Sequence, residues 1–325
     1  MKSLRWLALL GFLCATAFYS PASAQAVTIR IGYNKLWPLF PLAVAIQKKI
    51  FEKYGVEPKW VEFQTPNDIL RAMTAGELDM GAMTGPNLAS AHERGIKVKG
   101  IALLAGVGDP PNMLFARKDL NIKSVKDLKD RTIGVNNYGG NFDLYLRRHL
   151  LDNGLDPKKD VKIVEIPVFQ VLPAMLTRTI DAGFVDTVFA AGALKNNGND
   201  VVPVFSYTDV GPFKSGYNGV ILAANDSYIA RNRSAAVNLL RGYLEAVRFM
   251  HDNQREAVKL YVDASGNKAA MLLDRGIDVP LDGQILLPQM RSELDLMAEF
   301  GYIKAKFDAA EVVDRSLLQE AAKTN

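Results

Sequence analysis

The sequence predicts an α/β protein built as two lobes, each a mainly parallel sheet flanked by helices, with extra helices at the C-terminal end. Three observations predict it. The chain has 325 residues, and single hydrophobic cores stop growing at about 250–300. Strand-like and helix-like stretches alternate along most of it, as strand–helix–strand units require. One such unit also recurs. At a constant offset of 102 residues, Ile69, Leu70, Ala72, Met73, Leu78, Asp79 and Gly81 align with Val171, Leu172, Ala174, Met175, Ile180, Asp181 and Gly183. In both copies a helix runs into a tight turn and a short strand, so each half carries the same unit.

Taken in order, Val27 to Tyr33 alternates apolar and polar residues like a strand, and Pro41 to Tyr54 carries apolar residues at helical spacing and closes at Gly55. Further strands are expected near 56–63, 79–83, 98–105, 111–116, 131–135, 161–166, 181–185, 201–206 and 217–224, with helices between most of them. From Asp226 onward only helical patterns remain. Leu281, Ile285, Leu286, Met290, Leu294 and Met297 suit one amphipathic helix that covers an existing sheet. Asp79 and Asp181 occupy equivalent repeat positions and are expected to stabilise their turns.

Composition bounds the function. Hydrophobic residues make up 49% and charged residues 23%, with 25 Gly and 15 Pro, which excludes collagen-like, low-complexity and disordered chains. The chain opens Met1-Lys2-Ser3-Leu4-Arg5, continues apolar from Trp6 to Tyr19 and reaches Ala22-Ser23-Ala24. That is the pattern of a secretory signal peptide cut after Ala24. Without Lys2 and Arg5, 37 basic residues face 35 acidic ones, too small an excess to favour nucleic acid as a partner. The single cysteine, Cys14, lies in the leader. The exported chain is therefore expected to hold no disulfide, cysteine-ligated metal or cysteine nucleophile, which suits the bacterial periplasm.

Two turns, Ala72-Met-Thr-Ala-Gly-Glu-Leu-Asp-Met-Gly81 and Ala174-Met-Leu-Thr-Arg-Thr-Ile-Asp-Ala-Gly183, resemble signature turns of the solute-binding proteins of ABC importers, in the group that includes nitrate, sulfonate, taurine and thiamine-pyrimidine-precursor binders. Phe51-Glu-Lys-Tyr-Gly-Val-Glu57, Ser124-Val-Lys-Asp-Leu-Lys-Asp-Arg-Thr-Ile-Gly-Val135 and Leu144 to Asp156 agree with it. The resemblance implies a periplasmic binding protein clamp of type II. Residues 25–107 and 218–325 would form one lobe and 108–217 the other, hinged near Gly106–Asn112 and Val210–Gly219. It further implies a monomer that captures a small molecule without cofactor or metal and delivers it to a permease in the inner membrane.

Ligands of open α/β sheets bind beyond the carboxyl ends of the strands, at helix N-termini. That nominates Asn34 to Pro38, Gln64 to Asn67 and Thr84 to Asn87 in the first lobe, and Asn136 to Asn141, Phe169-Gln170 and Asp186-Thr187 in the second. Within these loops and at the second hinge, the expected ligand residues are Asn34, Trp37, Thr65, Thr84, Gly85, Asn137, Tyr138, Gly140, Asn141, Phe169, Gln170, Asp186 and Tyr217. Gly139 and Gly140 would let backbone approach a small molecule, or would simply form a tight turn with Asn141 as helix cap. Trp37 would stack on a planar ligand or pack beside Pro38 and Phe40; Thr65 and Thr84 would donate to ligand or cap helices. Asp186 would take an amine or cap a helix. Lys35 is the only cation in these loops, and no arginine lies there. Their Asn, Gln, Thr and aromatic residues suit a small organic solute. An organic anion, sulfonate or aromatic carboxylate, ranks just above a nitrogen heterocycle, since helix N-termini alone can hold an anion.

Enzyme signatures are missing: no Gly-x-Ser-x-Gly, His-Glu-x-x-His, phosphate loop or Gly-x-Gly-x-x-Gly occurs. His92, His149 and His251 are dispersed among charged neighbours. A pyrimidine synthase that resembles this family carries a cysteine-rich motif that is absent here. A binding protein is therefore expected rather than an enzyme, with a periplasmic sensor as a further alternative.

Overall fold

A computed structural model describes residues 26–34, 39–63, 65–106, 113–185, 195–196, 200–266, 268, 271 and 279–323. Their strands form two five-stranded sheets. The first contains β1 (Val27–Asn34), β2 (Val56–Phe63), β3 (Met80–Met83), β4 (Val98–Ala105) and β10 (Val220–Asn225), in the order β2-β1-β3-β10-β4. The second contains β5 (Met113–Arg117), β6 (Thr132–Val135), β7 (Lys162–Glu165), β8 (Ala182–Val185) and β9 (Val201–Ser206), in the order β7-β6-β8-β5-β9. In each, four strands share one direction and one runs against them, β10 between β3 and β4, and β5 between β8 and β9. Both reversed strands are the first to enter their sheet after the chain has left the other.

The helices flanking β1 to β3 are α1 (Phe40–Gln47), α2 (Ile50–Lys53) and α3 (Pro66–Thr74), and α4 (Gly85–Glu93) follows β3. The second sheet has α5 (Asn141–Asp152) and α6 (Val168–Leu176). The C-terminal part supplies α7 (Asp226–Asp252), kinked at Asn232, then α8 (Gln254–Ser265), α9 (Leu287–Glu299) and α10 (Ser316–Ala322). No described helix is long and apolar enough to cross a membrane.

The repeat is physical. Asp79 Oδ2 accepts from the Arg30 amide at 2.8 Å, and Asp181 Oδ2 accepts from the Thr132 amide at 2.9 Å. Each carboxylate thus ties its turn to the neighbouring parallel strand, and each has an arginine beside it, Arg30 at 2.8 Å and Arg117 at 3.3 Å. The amides of Glu77 and Thr179 close equivalent turns onto the carbonyls of Ala72 and Ala174. The copies differ in the residue that holds the left-handed turn position. Gly76 has φ +76°, whereas its counterpart Arg178 holds φ +62° with a side chain attached, a conformation costing about 1 kcal/mol in residues other than glycine. Arg178 points to solvent and only approaches exposed Asp119 at 3.3 Å. Arg178→Gly is therefore expected to stabilise the chain by ~0.5–1 kcal/mol in urea denaturation, the lost surface ion pair offsetting little.

Two expectations need correction. The stretch from Pro41 to Tyr54 is not one helix: Lys49 takes a left-handed conformation at φ 55° and separates α1 from α2. The break turns both Ile50 and Phe51 into the core, where the Phe51 ring lies on Gly242 of α7. The C-terminal amphipathic stretch is likewise shorter than 281–297. Gly283 turns at φ +66°, Leu281 is exposed, and the helix starts only at Leu287. Val313 also adds a single-residue bridge to Gly100, so the tail is not purely helical.

One core packs β1 against α1, α7, α8 and α10. A second is shared between the sheets. It joins Ile69, Leu88 and Leu103 of the first to Leu114, Val135 and Leu144 of the second, through Met290, Leu294 and Met297 of α9.

Candidate functional site

α9 packs against both α4, which follows β3 of the first sheet, and α5, which follows β6 of the second. Thr-Gly-Pro-Asn starts α4 with a capping box: Thr84 Oγ1 accepts from the Asn87 amide and donates to Asn87 Oδ1 at 2.8 Å, while Asn87 Oδ1 accepts from the Thr84 amide at 3.2 Å. Gly85 follows, and against it lies Glu293 of α9. A Cβ at position 85 would sit 1.9 Å from Glu293 Oε2. Glu293 is fully buried, its Oε1 accepts from the Tyr145 hydroxyl at 2.6 Å, and its Oε2 has no hydrogen-bond partner. Burial pushes its carboxyl up to about 8, against the opposing effect of the Tyr145 hydrogen bond. Tyr145 is also fully buried, and desolvation followed by the proximity of Glu293 holds its phenol well above the usual range. Around neutral pH the pair is thus two neutral hydroxyl groups sharing one hydrogen bond.

On the α5 side, Gly140 occupies the cap position and Asn141 is the first helical residue. Asn141 Nδ2 donates to the Asn218 carbonyl at 3.0 Å, which leaves Asn141 Oδ1 a buried acceptor without a partner. Asn218, fully buried, uses its amide to grip Leu286 just before α9, donating to the Leu286 carbonyl and accepting from its amide, both at 3.0 Å. Asp143, fully buried, accepts from the Gly139 amide at 2.9 Å, the Tyr302 hydroxyl at 2.5 Å and Arg147 Nε at 2.8 Å. Burial first, then Asp143, raises the Tyr302 phenol. Glu293, Asn218, Asn141 and Asp143 are thus buried polar groups on α9, on α5 and just before β10.

The structure distributes the nominated residues unevenly. Gly85 lies against Glu293, and Asn141 is bonded to the Asn218 carbonyl, whereas Thr84 is engaged in its own cap and Gly140 faces Asn137. Asn137 folds over its own loop, its side chain against Gly140, and the Tyr302 ring covers Gly139. Both glycines are thus approached by protein groups. Tyr138 turns toward β7, its hydroxyl donating to the Ile163 carbonyl at 3.1 Å. Tyr217 is buried edge-on to Tyr207 at 4.8 Å. Thr65 caps α3 and donates to Asp68 Oδ2 at 2.7 Å. Asn34 ends β1 opposite Phe63, and Phe169 and Gln170 are exposed near the start of α6. Trp37 and Asp186 lie outside the described residues. Glu293, Tyr145 and Asn218 are central here and were not anticipated. Glu293 has a detectable signal, since it falls on the same helical stripe as Met290, Leu294 and Met297.

His92 lies 3.5 Å from Glu311, His149 is half-buried against Phe205 with its imidazole pushed down by desolvation, and His251 is exposed beside Asp252. Among the described residues no group of three or more His, Cys, Asp and Glu could hold a metal ion.

Residues 39–257 match the NMT1/THI5-like family. A Brucella abortus (strain 2308) chain provisionally named a binding protein is 26% identical over 308 residues, covering 91% of this chain and 93% of its own length. The periplasmic aliphatic sulphonate binding protein SsuA of Escherichia coli superposes with a TM-score of 0.69 at 20% identity, over 89% of this chain and 92% of that one. The periplasmic nitrate-binding protein NrtA of Synechocystis PCC 6803 gives 0.74 at 16%, over 92% and 89%. The desulfurization enzyme DSZB shares the fold with a TM-score of 0.67 at 13%, over 91% and 99%.

Proposed function

Because the chain belongs to the NMT1/THI5-like family, we propose that it is the periplasmic substrate-binding component of an ABC importer, which closes two lobes on a small organic solute and hands it to an inner-membrane permease. In this reading residues 25–107 with 218–325 form one lobe and 108–217 the other, residues 1–24 are a cleaved leader, and the chain acts as a monomer. The observation that carries it is that α9 joins the helices of the two sheets through buried polar groups: Glu293 lies against Gly85 at the start of α4 and accepts from Tyr145 of α5, while Asn141 at the start of α5 donates to the Asn218 carbonyl. Free amides and helix dipoles at such ends favour anions and polar oxygens. A neutral Glu293 adds no repulsion, and the SsuA and NrtA likenesses point the same way, so an organic anion such as a sulfonate or aromatic carboxylate is the favoured ligand. A nitrogen heterocycle is the second reading, supported by Asn141 Oδ1, an acceptor suited to an N–H donor.

Thermal unfolding in the presence of sulfonates, aromatic carboxylates, nitrate and pyrimidines tests this. Ligand at about 100 times its dissociation constant contributes ~2.7 kcal/mol and should raise the melting temperature by ~5 °C in a chain of this size. A response confined to anions supports the first reading, and one confined to heterocycles the second. Silence together with turnover of a panel member would replace both with an enzyme.

A further inference from the structure

A cavity of about 360 Å³ opens on the other face of the first sheet. Along β1, Gly32 faces Ile69 and Leu78 on the α3 side, whereas Tyr33 packs into the core formed with α1, α7 and α8. The cavity lies on the Tyr33 side, between edge strand β2, α1 and the end of α8, and the sheet separates it from the α4–α5 junction. Three aromatic rings line it: Tyr33, Trp60 and Tyr261. Tyr33 and Trp60 meet edge to face, with centroids 5.5 Å apart at 79°. Tyr261 is stacked from behind by Phe40 at 4.0 Å, which fixes its ring. Leu39, Ala43 and Ile46 make an aliphatic wall on α1.

Among its described lining residues one is charged. Glu62 stands directly across from Tyr33 in the β1–β2 register and shares a strand face with Trp60. Among the described residues no lysine or arginine lines the cavity and Glu62 forms no ion pair. Desolvation, then the Glu62 charge, raises the Tyr33 phenol. Ring faces and a carboxylate without an ion-pair partner both attract cations, and the carboxylate repels anions.

We propose that this cavity is a second small-molecule site, separate from the interlobe site, which takes an organic cation: an ammonium or quaternary ammonium group on a compact apolar body, seated against Tyr33 and Trp60 with Glu62 as counter-charge. The test is calorimetric titration of the protein at low salt with choline and with its neutral isostere 3,3-dimethylbutan-1-ol, low salt being needed because Glu62 is exposed and screened. Choline should saturate one site and bind roughly tenfold more tightly than the isostere, the scale of an added cation–π and charge contact. Glu62→Gln, on the exposed edge strand, should weaken choline about tenfold and leave the isostere unchanged, and Trp60→Leu should weaken choline to a similar degree. The proposal is overturned if choline shows no saturation below about 10 mM, if the isostere binds equally well, or if Glu62→Gln leaves choline binding intact.

Discussion

Glu293→Gln is expected to make the chain more stable than the parent at pH 8 and no more stable at pH 4.5. In the folded chain the Glu293 carboxyl keeps its proton until about pH 8, whereas unfolded it ionises near the ordinary 4.5. Between these values the folded state binds more protons than the unfolded one, so the parent loses stability as pH rises from about 4.5 to about 8 and is flat beyond. Glutamine cannot ionise, keeps an oxygen for the Tyr145 hydroxyl and presents N–H where the neutral acid presents O–H. At 1.36 kcal/mol for each pH unit, the variant should gain ~4–5 kcal/mol by pH 8, or roughly 7 °C in melting temperature. Urea denaturation of both proteins at the two pH values measures it. The opposite outcome, a variant weaker than the parent at pH 8, would mean that the first amides of α4 hold an ionised Glu293 beside Gly85.

How much of this was legible in the chain depends on whether the cause is local. The turn ending in Asp79 was readable, and so was its copy at Asp181, because each carboxylate bonds to the backbone of the adjacent strand and the requirement recurs at a fixed offset. Thr84 and Thr65 read as cap or ligand donor, and both prove to cap, since Asn87 and Asp68 stand three residues on. Strand direction was not legible. β5 and β10 have the same apolar character as their neighbours, and their reversal follows from where the chain re-enters each sheet. The break at Lys49 also escaped, because the gain from it is the burial of Ile50 and Phe51 against a helix almost 200 residues away.

The site was half legible for the same reason. The loops at the starts of α4 and α5 follow from the strand–helix alternation alone. What joins them does not: Asn218 lies between Tyr217 and Gly219 with no pattern around it, and its partner Leu286 is 68 residues away. A glutamate in an amphipathic helix ordinarily faces water. Glu293 departs from this because Gly85 leaves room for its carboxyl and Tyr145 meets it from the other side.

Gly106→Ala is expected to be the most damaging single substitution outside that junction. The glycine-containing crossings read as segments that bend, but Gly106 is needed for a close approach. It follows β4 at φ +147°, its carbonyl accepts from the Tyr217 amide at 3.0 Å, and a Cβ there would lie 2.3 Å from both the Gly219 nitrogen and the Tyr217 carbonyl oxygen. Those are backbone atoms leading into β10 and cannot swing aside as a side chain would. Gly219 is constrained in return, since its own Cβ would lie 2.8 Å from the Ala105 carbonyl oxygen. Relief would require separating β4 from β10, loosening the segment that carries Asn218 and hence the start of α9. The expected loss is ~3–5 kcal/mol, the range of severe core disruption. Gly154→Ala separates the two causes, because Gly154 has φ +80° and nothing within 4 Å of the added carbon, so strain alone should cost it ~1 kcal/mol. If urea denaturation finds the two variants equal, the approach of the crossing segments is not what demands glycine at 106. A gap of ~2 kcal/mol or more makes the close approach of Gly106 to Tyr217 and Gly219, rather than backbone conformation alone, what demands glycine at 106.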